Sequence, residues 1–393
     1  MREREAVIVS AVRTPICDFG GMFKDVKAGD LSAVVMTEAI KRAGIDSGVI
    51  DDVIWGCCLQ DVDESNIARC GALKAGIPVE VPAYTIQRQC SSAMQAVYNA
   101  AAQIKLGEAD IILSGGVESY STAPYVLRDA RWGARLMHKQ MEDSIWNLLY
   151  SGGDNIMGMT AELVAKKWGI TREESDEVAL RSHNNAEEAI KSGKFKDEIV
   201  PVSVPQRRGD PKLVDQDEHV RLGLTLDDIR KLKPAFDKDG IVTAASASGL
   251  NDGAAAILIM SKEKADELGL KPLAKIGDFA VAGVDPDYMG EGPISATKKL
   301  FEKSKYSLSD VELIELNEAF AVQYIACERG LGSNREITNV NGSGCGLGHP
   351  VGCTGARLIV TLLNEMTRRD VELGMASLCA GGGMGTSILI HRI

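Results

Sequence analysis

Four stretches of the 393-residue sequence set reactive side chains in backbone spare enough to reach a ligand. In "IQRQCSSAMQAVYNAAAQIKLG", Cys90 stands just ahead of a run with Met94, Val97, Ala101 and Ile104 at helical spacing, and Ser91 and Ser92 offer capping hydroxyls. A helix N-terminus presents free N–H groups and partial positive charge, which favour a thiolate. The position suits a nucleophile; it equally suits an inert buried cysteine. In "NVNGSGCGLGHPVGCTGARLIV", His349 occupies a Gly-His-Pro turn inside a glycine-rich segment that enters a helix. Glycine lets backbone approach a ligand and proline stiffens the turn, so the imidazole is placed for acid–base work or to hydrogen-bond its own turn.

In "SLCAGGGMGTSILI", Cys379 ends an expected strand and three glycines follow. Such backbone can aim N–H groups at an oxyanion, or can simply turn between strands. In "IELNEAFAV", Asn317 and Glu318 follow an apolar strand, where α/β proteins place their sites. The alternative there is an N-cap to a helix starting at Glu318. His183 and His219 lie in charged sequence, His138 in a polar stretch and His391 two residues from the end, which recommends none of them. No G-x-x-x-x-G-K-[ST] or H-E-x-x-H occurs, and neither glycine run lies in a dinucleotide-binding context.

The elements that must position these residues alternate strand and helix. "EAVIVSAVR" reads as a strand, "LSAVVMTEAIKRAG" as a helix ended by Gly44, "DDVIWGCC" and "ADIILSGG" as further strands. The C-terminal third repeats the order. "ISATKKLFEKSKYSLSDVELIELNEAF" follows the layout of "LSAVVMTEAIKRAGIDSGVIDDVIWGC", and "GCTGARLIVTLLNEMTRRDVELGMASLCAGGGMG" that of "QCSSAMQAVYNAAAQIKLGEADIILSGGVES". A duplicated α/β half packed on its copy is expected. Residues 122 to 249 between the copies are polar, glycine-interrupted and partly helical, and carry basic patches at Arg207/Arg208 and from Arg221 to Lys233. Those patches suit a phosphorylated ligand or a solvated face.

With 25% charged and 45% hydrophobic residues the composition is that of a soluble globular protein. A net charge of -11 without a long basic run argues against nucleic acid or an anionic membrane as main partner. No apolar run would span a bilayer, and the opening "MREREAVIVSAVRTP" lacks a signal-peptide pattern. Nine scattered cysteines with no C-x-x-C pair fit a reducing cytoplasm, most of them as small buried hydrophobes.

Taken together, "VRTP", "FGG", "QRQCSSAMQA", "SGGVESYSTAPY", "MGMTAE", "ASGLNDGAAA", "MGEGP", "LNEAF", "NGSGCGLGHPVGCTGAR" and "CAGGGMG" resemble the thiolase family, in family order and along the full length. The resemblance implies an α/β fold of five layers: an N-terminal half at 1–121 completed by about 250–271, a loop domain at 122–249, and a C-terminal half at 272–393. It implies that Cys90 accepts the acyl group, that His349 activates it, and that Cys379 is the second, acid/base cysteine. Asn317 would hold a water that joins His349 in one oxyanion hole, and the N–H groups of Cys90 and Gly381 would form the other. Arg221 and Ser248 match coenzyme A contacts, and Met157, Met289 and Phe320 match the lining of the acyl and pantetheine groups. Thioester carbon–carbon chemistry asks for this set: a thiolate carries the acyl group, while a separate base handles the α-proton.

The chain departs from the family pattern at Ile156, where short-chain members have histidine, at Ala93, where glycine is usual, and at Tyr120 in "ESYS", where methionine is common. Reversible acyl transfer between 3-ketoacyl-CoA plus CoA and acyl-CoA plus acetyl-CoA is the expected activity, as in fatty-acid β-oxidation. The alternatives are an enzyme restricted to acetoacetyl-CoA and a non-catalytic acyl-CoA binder. No tightly bound cofactor is expected beyond coenzyme A as substrate, nor any metal. "YVLRDARWGARLMH" resembles the loop that joins dimers in tetrameric members, so a homotetramer or homodimer is expected.

Overall fold

Each half of the repeat is built on the same pairing scheme. The computed structural model describes residues 4–150 and 152–393. In the first half β1 (Ala6–Arg13), β2 (Asp52–Gly56), β3 (Ala83–Ile86), β4 (Ile111–Glu118) and β5 (Asn251–Ser261) share a sheet. There β2 runs parallel between β3 and β4, β4 is antiparallel to β5, and β5 to β1. In the second half are β6 (Ala274–Gly283), β7 (Leu313–Leu316), β8 (Leu373–Ala380) and β9 (Met384–Arg392). Here one parallel pair, β7 with β8, is followed as in the first half by two antiparallel ones, β8 with β9 and β9 with β6. In place of β3 the second half has only a parallel bridge between Ile314 and Thr338. The halves also touch edge to edge, Val7 opposite Lys275 and Ile8 opposite Ala274, so the pairing is continuous across both.

Helices complete five layers. α1 (Ala28–Ala43) and α2 (Ile67–Lys74) cover the first half, and α1 ends on Gly44 at φ 68°, a left-handed cap that a glycine adopts without strain. α3 (Ser92–Leu106), α4 (Met157–Trp168), α5 (Arg172–Lys191), α6 (Gly292–Phe301), α7 (Ala321–Leu331) and α8 (Val351–Arg369) follow. α6 lies on β6 and β9 with α7 beside it, and α4 and α5 belong to the polar excursion. α3 and α8 form the middle layer and touch strands of both halves. That is why β1, β4, β5 and β8 are apolar on both faces, with every residue buried.

The middle layer is tight because of glycine. A Cβ on Gly355 of α8 would lie 2.4 Å from the backbone nitrogen of Met94 in α3. One on Gly56 would lie 2.4 Å from the nitrogen of Ala93, and one on Gly116 2.3 Å from the oxygen of Gly352. The helices carrying Cys90 and His349 at their N-terminal ends can therefore approach each other and the sheet as closely as backbone permits. The methyl of Ala93 turns toward Gly116 of β4, so this departure fills space against the sheet and does not crowd the pocket described below.

Candidate active site

The turn that delivers Cys90 is strained. Gln89, just before it, has φ 48°, the left-handed region that side chains rarely adopt. Three contacts hold it: the Ser92 hydroxyl donates to Gln89 O (2.6 Å) and accepts from Arg88 N (2.8 Å), and Cys58 Sγ donates to Gln89 O (3.2 Å). These hydroxyls are not the caps expected from sequence. Ser91 makes no side-chain cap and pairs with Thr386 Oγ1 at 2.9 Å, tying the nucleophile turn to the second half.

His349 lies between Gly348, at φ 97°, and the start of α8. Its N–H donates to Asn251 Oδ1 (2.8 Å). Its Nδ1 lies 2.6 Å from Thr354 Oγ1, and the single proton of that hydroxyl is spent on Pro350 O at 2.9 Å. Thr354 must then accept, which puts the ring proton on Nδ1 and leaves Nε2 a bare lone pair. Nε2 has no partner among the described residues, nor has Asn317 Oδ1, while Asn317 Nδ2 stands 3.5 Å from Nδ1. Asn317 is not a helix cap: α7 begins at Ala321, and the Asn317 N–H donates to Ser377 O of β8 (2.9 Å).

Cys90 and His349 line one pocket of about 220 Å³, and so do Met157, Ser248, Met289 and Phe320. Ile156 lines it too, where a histidine would have brought a polar group. The N–H groups of Gly381 and of Cys90 itself point at the Cys90 sulfur, and Cys379, wholly buried, lies close enough to act on it electrostatically. Cys379, Asn317 and Gly381 are not among the residues that line the pocket. Arg221 is not part of the lining; it is exposed, near Asp18 and His219, whose ring abuts Gly249 at the pocket.

Electrostatics correct one expectation. Burial pushes the Cys90 thiol up to about 12 despite the two N–H donors, pushes Cys379 well above its usual range, and pushes the His349 imidazole down to about 3. The helix N-terminus does not preform a thiolate here, because desolvation outweighs it. Burial disfavours the charged form of both groups.

Three residues that sequence reasoning missed brace the site: Thr354 and Asn251, above, and Glu118 at the end of β4. The Glu118 carboxylate accepts from Cys58 N (3.1 Å), Leu59 N (3.0 Å) and Gly352 N (2.9 Å), tying the first half to the start of α8. Burial raises it to about 7 against those donors. Only the acid in "GGVES" following a buried strand hinted at it. All nine cysteines are free, seven of them buried.

Residues 6–263 match the thiolase N-terminal domain and residues 270–392 the thiolase C-terminal domain. An acetyl-CoA acetyltransferase of Syntrophomonas wolfei is 50% identical over 99% of this chain and 100% of its own. The crystal structure of the Bacillus anthracis acetyl-CoA acetyltransferase matches with a TM-score of 0.98 at 51% identity, covering 100% of this chain and 99% of that one. Human mitochondrial 3-ketoacyl-CoA thiolase in complex with CoA matches with 0.95 at 40% identity, covering 99% and 98%. The chain belongs to the thiolase family and is an acyltransferase.

Proposed function

We propose that the enzyme cleaves a 3-ketoacyl-CoA with CoA into acyl-CoA and acetyl-CoA, and runs the condensation in reverse, through an acyl thioester on Cys90. His349 Nε2 takes the Cys90 proton as the sulfur attacks the 3-keto carbon. The oxygen of that adduct is held by the N–H groups of Cys90 and Gly381. The carbon–carbon bond then breaks, its electron pair passing into the enolate of acetyl-CoA. Asn317, through a water, and His349 stabilise that enolate, and Cys379 protonates its carbon. CoA thiol gives its proton to the Cys379 thiolate so formed and attacks the acyl-Cys90 carbonyl; acyl-CoA is released as Cys90 leaves as a thiolate and takes its proton back from His349.

The observation that carries this reading is an imidazole with Nδ1 fixed by Thr354 and Nε2 unpartnered on the same pocket as a buried thiol. Ser248, Met157, Met289 and Phe320 would line the pantetheine and acyl groups, with Arg221 an outer contact for the nucleotide end. The apolar wall around Ile156 supports acyl groups larger than acetyl. The names of the relatives favour a second reading, an acetoacetyl-CoA enzyme. Thiolysis rates over a 3-ketoacyl chain-length series separate the two.

We divide the chain at about 121, 249 and 271. Trp132, Leu136 and Met137 are largely exposed in the excursion, which supports a homotetramer joined there. Among the described residues no helix is long and apolar enough to cross a membrane, and we place the enzyme in the cytoplasm, acting in fatty-acid degradation. Mass spectrometry after incubation with acetyl-CoA tests the activity. An acetyl group on the Cys90 peptide, lost in Cys90→Ser, is expected; no adduct would mean a binder rather than an enzyme.

A further inference from the structure

One polar atom on the pocket wall has no role in the reaction above. Tyr120, two residues past β4, is 3% exposed, packs in the same apolar cluster as Cys90 and lines the pocket. Its hydroxyl makes no hydrogen bond among the described residues, and it is not one of the unpartnered atoms sealed away from any surface. Tyr120 thus lines the cavity with a hydroxyl that no described residue takes up. A phenylalanine or methionine would line the same wall without a hydroxyl to satisfy.

We infer that the Tyr120 hydroxyl is a specificity contact, donating a hydrogen bond to a neutral oxygen on the acyl chain beyond the 3-keto group. The inference rests on the acyl-transfer reading. The two reacting carbonyl oxygens already have donors in the Cys90 and Gly381 N–H groups and in the His349–Asn317 pair, so a further donor answers a further oxygen. Leu149, Ile156, Met157 and Phe236 on the pocket wall carry no hydrogen-bond donor in their side chains, and the other hydroxyl there, Ser248, is assigned above to the pantetheine and acyl lining. A terminal carboxylate is a poor fit: no lysine or arginine lines the pocket, and the carboxyls of Glu118 and Asp252 lie near the phenol. Burial holds the phenol protonated, so it can donate. The substrate class is a neutral, oxygen-bearing 3-ketoacyl-CoA, with a hydroxyl, keto or ether function along the chain.

The test compares 3-oxooctanoyl-CoA with analogues in which an ether oxygen replaces one methylene beyond carbon 4, in wild type, Tyr120→Phe and Tyr120→Met. For at least one analogue, the ratio of its kcat/KM to that of the parent should be about tenfold higher in wild type than in either variant, the change expected for one hydrogen bond. Equal ratios in wild type and variants overturn the inference. So does a wild type that disfavours every ether analogue, which needs no folded variant to observe. Wild-type Cys90 acetylation by acetyl-CoA is measured alongside: its presence with flat ratios sinks only the role of Tyr120, its absence sinks the acyl-transfer reading.

Discussion

Thr354 decides how His349 can act. Its hydroxyl fixes the proton on Nδ1, leaving Nε2 unpartnered among the described residues, on the pocket that Cys90 also lines. Thr354→Val keeps the shape and removes the acceptor, so the ring loses its tautomer and aim. We expect kcat to fall by about 10²-fold, the scale of a misplaced catalytic group, with KM little changed, and Thr354→Ser to recover most of it. Steady-state kinetics on one 3-ketoacyl-CoA decides this, and a rise in KM alone would make Thr354 a binding residue. Cys90 and His349, which share the pocket, stood out in the sequence, because cysteine and histidine amid glycine have little reason to be there for packing. Their braces did not. Asn251, Thr354 and Glu118 come from separate segments and read as ordinary strand or helix residues until the chain folds. Burial also hid the electrostatics, since a helix N-terminus in sequence says nothing of how dry it is.

At the scale of elements, the close crossing of α3 and α8 brings together the turns that carry Cys90 and His349, nucleophile and base in the proposed mechanism. Gly355→Ala would drive a methyl into the backbone of Met94. Overpacking of this kind costs about 1–3 kcal/mol, and here the displacement separates Cys90 from His349. Denaturant midpoints should fall by that amount and activity should fall with them; full activity in a destabilised variant would show that the crossing serves stability alone. Strands and helices with strong periodicity were readable, among them β1, α1 with its Gly44 stop, α3 and β4. Short pieces such as α2 and the four-residue β3 were not, having too few residues to show a period. Helix starts also misled: serines beside Cys90 are spent on the turn itself and on Thr386, and Asn317 lies four residues before α7.

The whole molecule buries two neutral imidazoles. His183 sits in the polar sequence "RSHNNAEEA", yet on the inner face of α5 it is 1% exposed, with Nδ1 unpartnered among the described residues. Burial lowers it to about 3, as it does His349. Between pH 6.5 and 3 the unfolded chain binds protons that the native fold refuses, so stability falls on acidification by about 1.4 kcal/mol per pH unit for each histidine. His183→Leu should remove one such share. Unfolding free energies from urea titrations at pH 7 and pH 5 should therefore converge in the variant by about 2 kcal/mol relative to wild type, and an unchanged pH slope would contradict the burial.

At the same scale, the proposed mechanism divides the work between Cys90 from one half of the duplicated fold and Cys379 from the other. Cys379→Ser tests that division most directly, read in two single-turnover reactions: acetylation of Cys90 by acetyl-CoA, and carbon–carbon cleavage of a 3-ketoacyl-CoA. The account predicts acetylation within about tenfold of wild type and cleavage reduced by about 10²–10⁴-fold, the contribution of a positioned acid or base. Equal loss of both steps, or cleavage at the wild-type rate, would contradict it.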